Sequence, residues 1–205
     1  MDQNLKWLQY ILHDENSLIR TLQTRYNALK LVSRVASFKQ RKIIADGIFL
    51  SKLIYMIQVW GGCEKYLIKS LQIVQNKAAR VVTRLCWDSP VNILLGQCGW
   101  LSVTQLVFYH SVTLVHCVSI SGAPKYLYRM YNFSKKETIQ TRQAGLQLLK
   151  LKNDKVPRNE IVRRGFRWRS CQDYNMLPLS IRSIRDMTAF KKMVKLWIKD
   201  NISIV

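Results

Sequence analysis

The clearest pattern in the chain is EKYLIKSLQIVQNKAARVVTRL, which occupies positions 64–85. In a helix with about 100° of rotation per residue, six of its apolar side chains fall within about 80° of one another. These six are Leu67, Leu71, Val74, Ala78, Val81 and Leu85. Apolar residues confined to one side are typical of a helix that packs against a core. The stretch therefore predicts a long amphipathic helix, around which the remaining elements can be ordered.

The opposite side of this predicted helix carries only positive charge. No acidic residue occurs between Glu64 and Asp88 to neutralise it. A solvated helix face commonly mixes the two signs, whereas a purely cationic face can follow a phosphate backbone. We expect these basic side chains to contact nucleic acid, with simple solvation as the alternative. They are Lys65, Lys69, Lys77, Arg80 and Arg84.

Two further helices are predicted upstream. Residues 15–42 carry apolar side chains at three- and four-residue spacing, which predicts one long helix. Residues 41–59 are apolar nearly all round and predict a buried helix, which the pair Gly61-Gly62 ends. With positions 64–85 these helices predict a three-helix bundle over residues 1–98.

The next predicted helix is also apolar. Ser102 and Gln105 have the spacing of a capping box, and the helix that they begin runs to about Ser119. Gly122 and Pro124 then predict a hinge. We therefore expect a central apolar helix and hinge at residues 99–122 and a basic helical region at 123–205, so that the fold is all-α or nearly all-α.

The basic region contains more than half of the 33 lysines and arginines. Residues 163–169 alternate basic and aromatic groups, and Phe166 and Trp168 could either stack on unpaired bases or belong to a core. A second predicted nucleic-acid-binding group is Arg163, Arg164, Arg167 and Arg169. Residues 135–158 are polar and predict a loop or a short hairpin.

A last helix is predicted near the end of the chain. Thr188 is its expected N-cap. Its predicted core residues are Phe190, Met193, Trp197 and Ile198.

The net charge indicates which class of partner the chain binds. The 205 residues include 33 Lys and Arg against 12 Asp and Glu, which gives a formal charge of +21. Such an excess is usually offset by a polyanion, and release of its counterions drives binding to RNA, DNA or an RNA–DNA hybrid. An anionic membrane surface is the electrostatic alternative. The most apolar run, residues 43–60, contains charged residues, so we interpret it as a core helix and expect no membrane partner.

The five cysteines form neither a metal half-site nor a disulfide framework. The first residues lack the regions of a signal peptide. We therefore expect an intracellular protein, nuclear or cytoplasmic, that is not secreted.

No catalytic, metal-binding or cofactor-binding residues are predicted. Metal-dependent polymerase and nuclease chemistry needs acids that converge on a cation, and only Asp14 and Glu15 are adjacent acids. His116 and Cys117 are neighbours, but in a helix they point about 100° apart. We expect no enzymatic activity from this chain alone.

Several short motifs occur in a distinctive order. They are GIFLSKLIY at 47–55, VWG at 59–61, LQIVQNKAAR at 71–80, GWLSV at 99–103, PKYL at 124–127, TRQ at 141–143, FRWR at 166–169, YNMLP at 174–178, Ile181-Arg182, Phe190-Lys191 and Trp197. Their order resembles the region C-terminal to the catalytic palm in reverse transcriptases of non-LTR (LINE-like) retrotransposons, of the Jockey and chicken-repeat-1 type. The resemblance covers about residues 30–202.

This resemblance implies that residues 15–85 are similar to a helical thumb, which grips the template–primer duplex. It also implies the missing palm and fingers of such an enzyme as partners. The polymerase motif Tyr-x-Asp-Asp is absent from the sequence, so no catalytic role carries over. The expected function is that of a non-catalytic C-terminal fragment of an RNA-directed DNA polymerase. The alternative is a host interaction or assembly module derived from such an element.

Overall fold

The computed structural model describes residues 3–132, 150–151 and 158–202. This part of the chain is mostly helical, so the predicted all-α or nearly all-α fold is confirmed. The predicted loop or hairpin at 135–158 lies mostly outside the described residues. Two of its residues that are described, Lys150 and Leu151, pair with Asn132 and Tyr131 in a two-residue antiparallel ladder.

The chain forms two compact units that divide after Val107. The first contains α1 (Gln3–Val32), α2 (Phe38–Ala45), a π-helical turn (Asp46–Leu50), α3 (Ser51–Ile54), α4 (Ile57–Trp60), α5 (Lys65–Thr83), α6 (Val91–Cys98) and the start of α7 (Val103–Ser121). The second contains the rest of α7, α8 (Lys125–Met130), β1 (Tyr131–Asn132), β2 (Lys150–Leu151), α9 (Glu160–Arg164), α10 (Phe166–Met176), α11 (Leu179–Arg182) and α12 (Met187–Asn201).

The predicted single helix over residues 15–42 is wrong, because the chain turns between α1 and α2. Ser37 caps α2: its Oγ accepts a hydrogen bond from the backbone N–H of Gln40 at 3.4 Å. The Gln40 side chain in turn accepts from the backbone N–H of Ser37 at 2.8 Å. This reciprocal capping box satisfies two N–H groups that the first turn leaves free, which favours a helix start at this point.

The predicted helix over residues 41–59 is also interrupted. The π-helical turn follows α2, and Met56 takes the left-handed conformation with φ of 51° between α3 and α4. The predicted end at Gly61-Gly62 is confirmed, since α4 stops at Trp60. A Cβ atom on Gly61 would lie 2.6 Å from the Ile57 carbonyl oxygen and 2.8 Å from a Val107 methyl group. Only glycine therefore fits this close approach.

Helix α5 confirms the central prediction within two residues at each end. It packs against α1, α2 and α6. Four of its predicted apolar positions are buried, whereas Val81 and Leu85 are half-buried and Val82 is fully buried. Leu22 and Leu29 of α1 are fully buried, and Phe49 stacks on Trp100 with ring centroids 6.3 Å apart. These contacts make α5 the centre of the first unit.

Two buried glutamines of α5 hold the start of α7. Gln75 donates from Nε2 to the Leu101 carbonyl at 2.9 Å. Gln72 accepts from the backbone N–H of Val103 at 2.8 Å and donates to the Gln75 side chain at 2.9 Å. The predicted capping box of Ser102 and Gln105 is present in both directions. The start of α7 is therefore held by buried hydrogen bonds to the glutamine side chains of α5.

The second unit has an aromatic core around His116, whose ring stacks on Phe190 at 3.6 Å. In α12 the predicted N-cap is wrong: Asp186, not Thr188, accepts a hydrogen bond, from the Ala189 N–H at 2.7 Å.

The predicted α12 core positions are corrected in part. Phe190 and Ile198 are fully buried and Trp197 is half-buried, but Met193 is exposed and Val194 is buried in its place. The buried face of α12 therefore differs from the predicted face by one residue in the middle of the helix.

Among the described helices, α7 is long and apolar enough by composition to cross a membrane. More than half of its apolar window is buried inside the protein. Core helices commonly pass the same test, so the observation carries no assignment.

Candidate nucleic-acid interface

The solvent side of α5 presents three exposed lysines, Lys65, Lys69 and Lys77. At about 100° per residue they lie on the side opposite the buried leucines. Tyr66 and Ile73 are also exposed between them. We call this surface the α5 basic face. It combines flexible cations with two apolar side chains, which suits a polyanion that also offers apolar surface.

Arg80 lies on the same side but is more enclosed. Its side chain is half-buried, and its Nε atom is buried with no hydrogen-bond partner in the described part of the chain. The apolar stem of an arginine often covers neighbouring apolar surface while its charged end reaches outward. Arg80 therefore stands at the edge of the α5 basic face.

Arg84 has a structural task. It ends α5 in the left-handed conformation with φ of 59°. Its Nη2 donates to the carbonyls of Ser33 at 2.8 Å and Arg34 at 3.4 Å, where α1 has ended. A cation at these carbonyls satisfies acceptors that the helix leaves free and complements the helix dipole. Within the described part of the chain, Arg84 therefore has a role in the fold itself.

No sequence pattern predicted a special role for Arg41. It is 5% exposed, and its Nε donates to the Val82 carbonyl at 2.8 Å. Its Nη1 donates to the Ala36 carbonyl at 2.7 Å. Burial lowers the pKa of Arg41, and the charge of Arg84 lowers it further. Two arginines thus fasten the α1–α2 turn (residues 33–37) to the end of α5.

Additional exposed cations surround this junction. Lys30, Arg34 and Lys39 are all exposed on α1, the turn and α2. Asp46, which follows the last residue of α2, has a carboxylate that pairs with Lys42 at 2.7 Å and accepts from the Trp100 indole N–H at 2.6 Å. The positive surface therefore continues from the α5 basic face to the α1–α2 turn.

The second predicted group is divided between two elements. Arg163 lies on α9 and Arg167 on α10, and both are exposed. Arg164 is half-buried, and its backbone carbonyl accepts from Nη1 of Arg169 at 3.3 Å. Arg169 itself lies 3.9 Å from the Asp173 carboxylate.

The two aromatic residues of this group, Phe166 and Trp168, are half-buried, and the Trp168 indole N–H is buried. The structure places all four arginines within one helical pair but leaves only Arg163 and Arg167 exposed. Further exposed lysines of the second unit lie on α12; they are Lys191, Lys192, Lys195 and Lys199.

The second unit also contains buried titratable groups. Burial raises the pKa of Asp173 to about 6, although Arg169 and the Ser111 hydroxyl each lower it. His116 lies within 2.8 Å of the Ile184 carbonyl through Nε2, so Nε2 must carry the proton and Nδ1 accepts from the Tyr174 hydroxyl at 3.0 Å. Burial lowers the pKa of this histidine. These contacts describe a satisfied core residue.

The neighbours His116 and Cys117 face different environments. His116 is buried, whereas Cys117 is exposed. Within the ranges that the structure describes, no group of three His, Cys, Asp or Glu side chains is placed to hold a metal ion.

No family model, curated protein or solved structure is significantly similar to this chain.

Proposed function

We propose that this chain binds template–primer nucleic acid through the α5 basic face, as the non-catalytic thumb and post-thumb part of a retrotransposon RNA-directed DNA polymerase. The observation that carries the binding proposal is the set of three exposed lysines on one helix side. The parentage rests on the ordered sequence motifs alone.

The spacing of the lysines fits a phosphate backbone. Lys65 and Lys77 are 12 positions apart in α5, and a rise of about 1.5 Å per residue separates them by roughly 18 Å along the axis. Phosphates of one strand recur about every 3.4 Å along a duplex axis, so this distance corresponds to roughly five nucleotides. Lysines contact phosphates as point charges without reading sequence. Binding should therefore be sensitive to salt and tolerant of sequence.

A second candidate function is an interaction or assembly module without polymerase activity. Exposed apolar side chains on the segment from α2 to α4 favour it, because exposed apolar patches often mark protein contacts. They are Ile43, Tyr55, Met56 and Val59. In the first proposal the same side chains would contact the palm of the polymerase.

Equilibrium binding separates these functions. The full chain is titrated with a labelled RNA–DNA hybrid, with single-stranded RNA and DNA of equal length, and with vesicles that contain anionic lipid. The proposal predicts binding to nucleic acid that weakens steeply with salt. Binding to vesicles alone, or to no polyanion, would contradict it. The proposed parentage is tested separately, by reading the genomic frame upstream for codons of Tyr-x-Asp-Asp.

A further inference from the structure

Trp87 stands at the tip of a tight turn between α5 and α6. The backbone N–H of Ser89 donates to the Cys86 carbonyl at 3.2 Å, which places Trp87 and Asp88 at the centre of the turn. Trp87 is 84% exposed and makes no hydrogen bond or ring contact within the part of the chain that the structure describes. Tryptophan gains more than most side chains from burial, so a solvent-facing indole on a defined turn is suited to a partner.

The surroundings of Trp87 indicate which partner. Trp87 follows Arg84 by three residues, so their Cα atoms are at most about 11 Å apart. Arg84 is in turn bonded to the Ser33 carbonyl of the α1–α2 turn at 2.8 Å. In that turn Val35 is 92% exposed, and Phe38 at the start of α2 is exposed as well. The indole and these apolar side chains therefore belong to the same end of α5.

This end of α5 is also strongly cationic. Lys30, Arg34, Lys39 and Arg84 are exposed there, and among the described residues of this end the exposed carboxylate is that of Asp88, on the turn itself. A lipid surface would match the charge, but the exposed apolar side chains here lie at two turns rather than on the broad apolar face that an interfacial helix inserts. A nucleic acid with unpaired bases matches both properties, because each base offers a flat apolar face beside an anionic phosphate.

We propose that Trp87 stacks on an unpaired base at the end of the duplex that the α5 basic face contacts. The inference rests on the proposed function and adds a preference to it. The lysines of α5 hold phosphates regardless of pairing, while Trp87 needs a base that is free of its complement. A duplex with a single-stranded overhang should therefore bind more tightly than a blunt duplex of the same length.

The test measures the affinity of the full chain for a blunt RNA–DNA hybrid, for hybrids with a short overhang on one strand or the other, and for the same overhanging hybrids with the overhang made abasic. Stacking on an aromatic side chain contributes enough that we expect about a tenfold gain from at least one overhang. The abasic overhang keeps its phosphates but has no base to stack, so the gain should vanish. Trp87→Ala should remove the gain and leave affinity for the blunt hybrid unchanged, and Trp87→Phe should retain part of it.

Tyr126 is an exposed aromatic residue of α8, and Tyr126→Ala is the matched control that should keep the overhang preference. Thermal unfolding of each variant shows whether it is folded. Equal affinity of the unaltered chain for blunt and overhanging hybrids would overturn this inference and leave phosphate binding intact. So would an unchanged preference in Trp87→Ala, because the preference would then come from another part of the chain. Absence of binding to every hybrid would instead contradict the proposed function.

Discussion

The guanidinium of Arg41 lies inside the first unit and donates from Nε to the Val82 backbone carbonyl at 2.8 Å. A second nitrogen of the same group serves the Ala36 carbonyl. The basic residues of this protein therefore have different roles. Arg41 and Arg84 connect the α1–α2 turn with the end of α5, whereas Lys65, Lys69 and Lys77 are exposed on the solvent side of α5.

Replacing Arg41 with Met should destabilise the protein. It removes two charge-assisted hydrogen bonds and leaves the two carbonyls without these donors, for a loss of about 3 kcal/mol in the free energy of unfolding. Lys39→Met removes the same charge from an exposed position of α2 and should change stability by less than about 0.5 kcal/mol. Urea unfolding of both variants measures the difference. Equal stability would mean that the contacts of Arg41 do not hold the fold.

Two glycines should respond oppositely to alanine. Gly61→Ala places a methyl group 2.6 Å from the Ile57 carbonyl oxygen, and such overpacking costs about 1–3 kcal/mol. Gly96 lies within α6, where an added Cβ atom would meet nothing within 4 Å. Gly96→Ala should therefore stabilise the protein by about 0.5–1 kcal/mol through helix propensity. Thermal unfolding shows whether each variant is stabilised or destabilised. Unchanged stability in Gly61→Ala would contradict the close approach of Gly61 to Ile57 and Val107.

Asp173 should make stability fall as pH rises. Its pKa is about 6 in the folded protein against an ordinary value of 3.8, so the folded state binds the proton more tightly. The stabilisation is complete below pH 3.8 and is lost as pH rises through 6, by about 3 kcal/mol at most. Asp173→Asn mimics the protonated form, so it should match the unaltered protein near pH 4 and exceed it in stability at pH 7.

The comparison must be made as a difference between these two proteins. Burial lowers the pKa of His110 and His116 below their ordinary value of 6.5, so their contribution is lost as pH falls below 6.5 and has the opposite slope. Urea unfolding from pH 4 to pH 7 of Asp173→Asn and the unaltered chain cancels the histidines. Stability curves that stay parallel would show that Asp173 titrates normally.

The position of α5 was predictable because its apolar and charged residues repeat with one period over its whole length. The same spacing led to the wrong prediction of a single helix over residues 15–42. Apolar residues at helical intervals continue past residue 33, although the chain turns there. The capping box of Ser37 and Gln40 was legible in the sequence and marks the true start of α2. Local hydrogen bonding thus decided a boundary that periodicity alone could not.

The roles of individual cations were less predictable. A helical projection places Lys77 and Arg84 on one side, but Arg84 adopts a left-handed backbone and points back to α1. Arg41 looks in the sequence like any basic residue of an amphipathic segment. Which carbonyls a guanidinium reaches depends on how helices pack, and packing brings Arg41 to Val82 from a distant part of the chain.

The salt dependence of binding is the most direct measurement of the proposed interface. Lys65, Lys69 and Lys77 are replaced together with Gln, and affinity for an RNA–DNA hybrid is measured at several salt concentrations. Each lost phosphate contact lowers the log–log slope by roughly 0.9 on duplex DNA, so we expect a reduction of about 2–3. The control replaces three exposed lysines of the second unit, Lys125, Lys191 and Lys192, with the same change in net charge. A smaller slope in the α5 variant alone is the predicted result; equal slopes in the two variants would contradict the assignment of the interface to α5.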